Sequence, residues 1–289
     1  MIALAVLASI GWGASDFFGG LSRRDVLVFS VLTVSQLLGA AMIVPAIALT
    51  GPPRVSGHLL LACVAGLGVT LELGVVYYAV SIGAAFIGAP VGALGTALAV
   101  TTGLLGGDLL TRGIALGLVC TVLGGGLSAA GDGDFHAPVR RGRSIAACLL
   151  ASVGVAVMQI TLHAAGKVNP YWAAEFEHLT TAGFAALLAC MITLRARARP
   201  SSKEGNNWRP RRDQLPMLAL VAAMGAGGDV AYAAAATGAL STVSAIASLY
   251  PLSTITLAYA IQHRRPHRLQ TAGVVLALAG ATILGAVST

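Results

Sequence analysis

The chain has 289 residues, 56% of them hydrophobic and only 10% charged, and its net charge is +7. A soluble domain carries about 25% charged residues, so this composition excludes a soluble fold and specifies an integral membrane protein. The positive charge does not call for nucleic acid, because Lys and Arg sit at the ends of apolar spans, where they anchor helices at the membrane surface.

Polar and Gly/Pro breaks divide the chain into ten apolar spans, at 2–21, 27–49, 57–80, 86–106, 112–131, 144–165, 171–194, 214–236, 242–261 and 269–287. Most are near the ~20 residues that carry a helix across a hydrocarbon core of about 30 Å. The expected fold is therefore all-α, with ten transmembrane helices and no room for a soluble domain. The 36 glycines fit this class, since helices in lipid pack through small residues.

Span 1 lacks the basic start of a signal peptide and carries an acid, Asp16, one turn after Trp12; it is expected to stay as a helix. An ionisable group in mid-membrane costs roughly 2.5–3.5 kcal/mol on insertion scales, so it is read as facing a cavity or a partner. Span 2 offers Gln36, one turn from Thr33. In span 3 Glu72 continues a small-residue face that begins at Ala65 and Gly68, and Tyr77 follows it. Pro90 and Pro251 are expected to kink spans 4 and 9. Gly131-Asp132-Gly133-Asp134 has the look of a calcium-loop fragment but lacks the other ligands and reads as a polar turn.

Span 6 supplies Gln159, then His163 and Lys167 at successive turns, a polar face running to the membrane surface. Span 7 opens with Tyr171 and Trp172, an aromatic belt that places Glu175, Glu177 and His178 near the interface; Glu175 and His178 are spaced to pair. Arg195 to Asp213 is a polar linker. Span 8 holds Asp229 with Tyr232 at i+3, and Tyr250 precedes Pro251 in span 9. The glycine pairs Gly88/Gly92, Gly103/Gly107 and Gly113/Gly117 have GxxxG spacing and read as helix-packing sites. Cys63, Cys120, Cys148 and Cys190 lie singly in apolar runs and read as core filler.

The chain also repeats itself. At an offset of 155, Val75, Tyr77, Gly83, Leu94 and Thr101 fall on Val230, Tyr232, Gly238, Leu249 and Thr256; at 156, Gly117, Gly124 and Ala130 fall on Gly273, Gly280 and Ala286. Gln159 matches Asp16 at an offset of 143, and Asp229 lies two positions beyond the match of Glu72. The expected division is a first five-helix repeat at 1–131, a linker at 132–143 and a second five-helix repeat at 144–289. An odd number of spans per copy inverts the second copy in the membrane, a recurrent transporter architecture. Loops after spans 1, 5, 7 and 9 hold fifteen Lys and Arg, against Arg54, Arg112 and Lys167 on the other side; the positive-inside bias then leaves both termini outside.

Gly11-Trp12-Gly13-Ala14-Ser15-Asp16-Phe17, the run Ala245 to Leu257 with Leu249-Tyr250-Pro251-Leu252, and the turn Arg264-Arg265-Pro266-His267-Arg268-Leu269-Gln270 followed by Gly273 and Gly280 resemble an EamA-type protein of the drug/metabolite transporter superfamily. The resemblance spans the chain and implies ten helices in two inverted repeats, with export or exchange of small metabolites or drugs. It also implies cytosolic termini, opposite to the charge count. Many relatives carry an acid in the turn before the last helix, whereas the charges here are all basic.

The expected function is a secondary transporter in the inner membrane that moves a small solute such as an amino acid, amine or drug by alternating access. Its expected binding or coupling residues are Trp12, Asp16, Gln36, Glu72, Tyr77, Gln159, His163, Asp229, Tyr232 and Tyr250. Protons are an expected partner, because a carboxylate in a low-dielectric cavity can exchange one for substrate; uniport and exchange are the alternatives. A non-transporting membrane scaffold is the competing class. No zinc-type spacing, phosphate-cradling glycine loop or nucleophile-base set supports an enzyme, a cofactor or a resident metal.

Overall fold

The computed structural model describes residues 1–22, 28–53, 55–81, 88–129, 141–198, 212–263 and 268–287. Among them every regular element is helical: α1 (Ile2–Ser22), α2 (Val28–Thr50), α3 (Gly57–Ser81), α4 (Gly88–Leu105), α5 (Arg112–Ala129), α6 (Arg141–Gly166), α7 (Pro170–Ala198), α8 (Leu215–Ala234), α9 (Leu240–Ala247), α10 (Tyr250–Gln262) and α11 (Arg268–Val287). Seven stretches are long and apolar enough to cross a membrane, one of them formed by α9 and α10 together (Leu240–Gln262). Shorter apolar helices occupy Val91–Leu105, Arg112–Leu127 and Arg268–Leu284. The loops that carry most of the basic residues, and the 131–134 turn, lie outside the described residues.

Each break has a local cause. Gly51 takes a positive φ of 73° and is followed by Pro52 and Pro53, which end α2. Gly107, with φ 101°, turns the chain between α4 and α5, so it serves as a hinge of backbone and not as a helix-packing partner of Gly103. Asn169 caps α7, its Oδ1 accepting the Tyr171 and Trp172 N–H groups at 3.0 and 3.1 Å. The prolines act differently from the expected kinks. Pro90 sits in the first turn of α4, where a missing N–H costs nothing, and Pro251 opens α10 after a full break at Ser248 and Leu249. Pro45, inside α2, is the proline that does lie within a helix.

Helices meet where glycine removes the side chain. A Cβ on Gly11 of α1 would lie 2.6 Å from Met224 O and 2.9 Å from Gly228 Cα on α8. On the α3–α6 crossing, a Cβ on Gly68 would lie 2.7 Å from Gly154 O, and one on Gly154 2.6 Å from Gly68 O. On the α5–α11 crossing a Cβ on Gly117 meets Leu284, and one on Gly280 meets Thr121 at 2.5 Å. Such contacts exchange lipid for close-packed backbone, which is the source of cohesion when both environments are apolar. Alanines fill the centre, among them Ala62, Ala65, Ala165, Ala173, Ala233 and Ala247. Leu7, Ile10, Leu60, Leu98, Leu123 and Leu187 point outward from the bundle.

The two ends of the bundle differ. Where α4 meets α5 and α9 begins, Asp108 Oδ2 accepts the Ser241 N–H at 2.8 Å, and nearby Gly166 lies against the Ala233 backbone. Trp172 Nε1 donates to Gly51 O at 3.1 Å at the same end. Towards the opposite end, described residues of α1, α2, α3, α7 and α8 line a cavity.

Candidate functional site

The cavity of about 120 Å³ is built from helix faces at i, i+3 and i+4. Helix α1 presents Trp12, Ser15 and Asp16; α3 presents Val69, Glu72 and Leu73; α6 presents Val155, Met158 and Gln159. Gly225 and Asp229 of α8, Gln36 of α2, Glu177 of α7 and Tyr250 of α10 complete it. A second cavity of about 90 Å³ shares Asp16, Gln36 and Leu73 and continues past Gly19 and Val31, towards the end where α1 stops. Asp16 is exposed to it, while Asp229 and Gln159 are buried at the other extreme.

The inner end is fixed by hydrogen bonds. Trp12 Nε1 donates to Asp229 Oδ1 at 2.8 Å, which holds the indole across the cavity wall. The Trp12 ring lies on Tyr232, with centroids 5.1 Å apart. Tyr232, fully buried, donates from its hydroxyl to Gln159 O at 3.0 Å and shares a 2.8 Å hydrogen bond with Ser244 Oγ. Gln159 Nε2 donates to Thr96 Oγ1 at 3.3 Å, leaving its Oε1 without a protein partner. The space for Tyr250 exists because Gly92 has no side chain to meet its hydroxyl.

Of the residues expected from the sequence, Trp12, Asp16, Gln36, Glu72, Gln159, Asp229 and Tyr250 converge on the one cavity. Tyr232 and His163 do not line it; they pack beneath it, ring centroids 6.4 Å apart, with neither His163 nitrogen hydrogen-bonded. Tyr77 belongs to α3, and its side chain lies outside the described residues.

Helix α7 behaves differently from its aromatic start. Glu177 and His178 lie about two turns into this helix, buried in the bundle at 1% and 2% exposure. His178 does not pair with Glu175. Its Nε2 lies 3.1 Å from Asp229 Oδ2 and 3.7 Å from Glu177 Oε2. Thr181 Oγ1 donates to Glu177 Oε1 at 2.9 Å. These three side chains are the described group of acids and histidines whose donor atoms come close enough for one metal ion. Sequence reading put Glu177 at the interface; the signal available was Thr181 at i+4 and the alanines Ala173, Ala174, Ala182 and Ala185 on the same helix, which mark it as buried.

Chemically, carboxylates dominate the described lining: Asp16, Glu72, Glu177 and Asp229 face the cavity, and no Lys or Arg does. Apolar walls from Trp12, Val69, Leu73, Val155 and Met158 surround them. The model of the EamA-like transporter family matches residues 143–286, the second half of the chain. The chain belongs to the EamA-like transporter family. This EamA-like protein, part of the drug/metabolite transporter superfamily, is accordingly a multi-pass membrane transporter of small solutes, and its family is not an enzyme family. A solved structure described as "Crystal structure of protein" is similar to the EamA-like chain over 99% of its length and 96% of that structure's chain, with a TM-score of 0.77 at 16% identity. At that identity the likeness concerns the fold. Among curated proteins none matches this chain.

Proposed function

We propose that this protein is a secondary carrier for an amphipathic cationic or zwitterionic solute, of the size of an amino acid, amine or small drug, and that it works by alternating access in the inner membrane. The observation that carries the proposal is the convergence of carboxylates from both halves of the chain, Asp16 and Glu72 from the first and Glu177 and Asp229 from the second, on a cavity with apolar walls and no basic residue in its described lining. An ammonium group would find its counter-charge there, and the solute's apolar part would lie against Trp12, Leu73 and Met158. Tyr232, His163 and Gln159 would form the floor; Tyr77 is proposed for the first-repeat counterpart of Tyr232. Protons are the proposed coupling ion, taken up by the carboxylates as substrate leaves.

Alternation is supported by how the helices pair. Helix α1 packs on α8 as α3 packs on α6, while α2 meets α7 and α5 meets α11. Gly11 and Gly154, each at the close point of its crossing, stand 143 residues apart, the offset that also relates Asp16 to Gln159. This favours ten crossings in two inverted five-helix repeats, 1–131 and 144–289, with 132–143 between them. In an inverted pair, the two halves can exchange conformations and move the opening from one side to the other. By the charge count the end where α1 finishes faces the cytoplasm.

The test is flux by purified protein in liposomes against a panel of amino acids, amines and dyes, with and without a pH gradient. Gradient-driven accumulation of a cationic or zwitterionic compound is expected. Movement confined to anions would contradict the proposed substrate class, and movement indifferent to the gradient would contradict proton coupling.

A further inference from the structure

Glu177, His178 and Asp229 lie in the wall between the two cavities, the acids facing one and the imidazole the other. Their inner nitrogen and oxygen atoms lie close together. His178 Nε2 is 3.1 Å from Asp229 Oδ2 and 3.7 Å from Glu177 Oε2, and donor atoms of the three lie within 4.8 Å of each other. Hydrogen bonding leaves this group unfinished: His178 Nε2 pairs with Asp229 Oδ2, but Glu177 Oε2 and His178 Nδ1 have no hydrogen-bond partner, although the two side chains are 1% and 2% exposed. A single imidazole N–H cannot serve two carboxylate oxygens at once. A buried polar atom without a partner calls for something that supplies one.

The outer carboxylate oxygens, by contrast, are held, while His178 Nδ1 is not. Asp229 Oδ1 accepts from Trp12 Nε1 at 2.8 Å, and Glu177 Oε1 lies 2.9 Å from Thr181 Oγ1, whose single proton it shares with Glu177 O at 2.9 Å and Gly66 O at 3.2 Å. Each carboxylate thus has one oxygen anchored and the other turned inward, the arrangement in which outer hydrogen bonds orient metal ligands. The His178 ring has its place because α2 carries Gly39 there, where a Cβ would lie 2.8 Å from Cε1. A cation about 2.0–2.1 Å from each donor spaces its ligands by roughly 3–3.5 Å; the two separations from His178 Nε2, 3.1 and 3.7 Å, are near this, and all three donors lie within 4.8 Å.

We propose that Glu177, His178 and Asp229 form a site for a divalent transition-metal cation, bound through Glu177 Oε2, His178 Nε2 and Asp229 Oδ2. One nitrogen and two carboxylate oxygens suit zinc, cobalt or manganese better than calcium or magnesium, which take all-oxygen sets. A divalent ion cancels the charge of both acids within the bundle. Three protein ligands leave a coordination position open, so the ion is exchangeable rather than sealed in. With the ion bound, Asp16 and Glu72 are the carboxylates left to face the organic solute.

The experiment is titration of tag-free, metal-stripped protein in detergent with Co²⁺, read by its visible d–d absorption, and with Zn²⁺, read by calorimetry. One equivalent is expected to bind. Affinity should fall at least 100-fold in Glu177→Gln, His178→Gln and Asp229→Asn, and about tenfold in Thr181→Val, which removes no ligand. Gly39→Ala, which displaces the ring while keeping every ligand, should also weaken binding. Each variant is first checked for unchanged helicity and a monodisperse profile. Absence of binding by the wild type, or binding that stays within twofold in folded Glu177→Gln and His178→Gln, overturns the site. The readout needs no transport, so it stands or falls separately from the flux assay.

Discussion

In the α1–α8 crossing the close-packed glycines are Gly11 and Gly228, and Trp12, Asp16 and Asp229 lie beside them; in the α3–α6 crossing they are Gly68 and Gly154, beside Glu72 and Gln159. Both crossings bring backbone against backbone. The first carries two acids and an indole, the second one acid and an amide. Under the proposed exchange of two halves, backbone complementarity is what both crossings would have to share, because either would hold while the other shifts. The polar side chains have no such obligation, and in the proposed carrier they would follow the solute. The difference separates residues that pack the helices from residues that line the cavity.

The most damaging way to probe the comparison is to fill a crossing. Gly11→Leu and Gly68→Leu should each destabilise the bundle by about 3 kcal/mol, since backbone atoms stand 2.6 and 2.7 Å from where the new Cβ would lie and cannot move aside. Thermal unfolding in detergent checks this. A large loss at one crossing and none at the other would show that they are not equivalent.

A smaller effect is expected at the sealed end. Asp108 is the side chain that accepts the Ser241 N–H at the start of α9, and Asp108→Ala should cost about 1 kcal/mol, as loss of a helix N-terminal acceptor does. It should also make a cysteine placed at Ser244, now fully buried, react faster with a thiol reagent, because the contact helps to hold that end shut. The smallest effect has the opposite sign. Gly227 stands next to Gly228 but has nothing within 4 Å of an added Cβ, so Gly227→Ala should stabilise α8 by roughly 0.5–1 kcal/mol. One helix would then show both responses at neighbouring positions.

Helix positions were legible because crossing a membrane imposes length and hydropathy, and spans such as 57–80 and 144–165 need no tertiary information. Asp16, Glu72, Gln159 and Asp229 were legible for a related reason: a polar group in an apolar run must face something. What the sequence concealed depends on rotation and local chemistry. Glu177 and His178 follow an aromatic pair that suggested the membrane surface, yet α7 carries them inward to Asp229. Proline signals a break without saying where it falls, which is why Pro251 opens a new helix and Pro90 an ordinary first turn. Tyr232 was placed on the right helix, but only packing reveals that its hydroxyl is committed to Gln159 O and Ser244.

The most direct measurement is solute flux in liposomes for Asp16→Asn, Glu72→Gln and Asp229→Asn beside the wild type, each variant shown to be folded. A carboxylate-lined path predicts at least a tenfold loss in all three, with helicity unchanged. Flux equal to wild type in all three, at every pH tested, would contradict it and place the transport path elsewhere in the bundle.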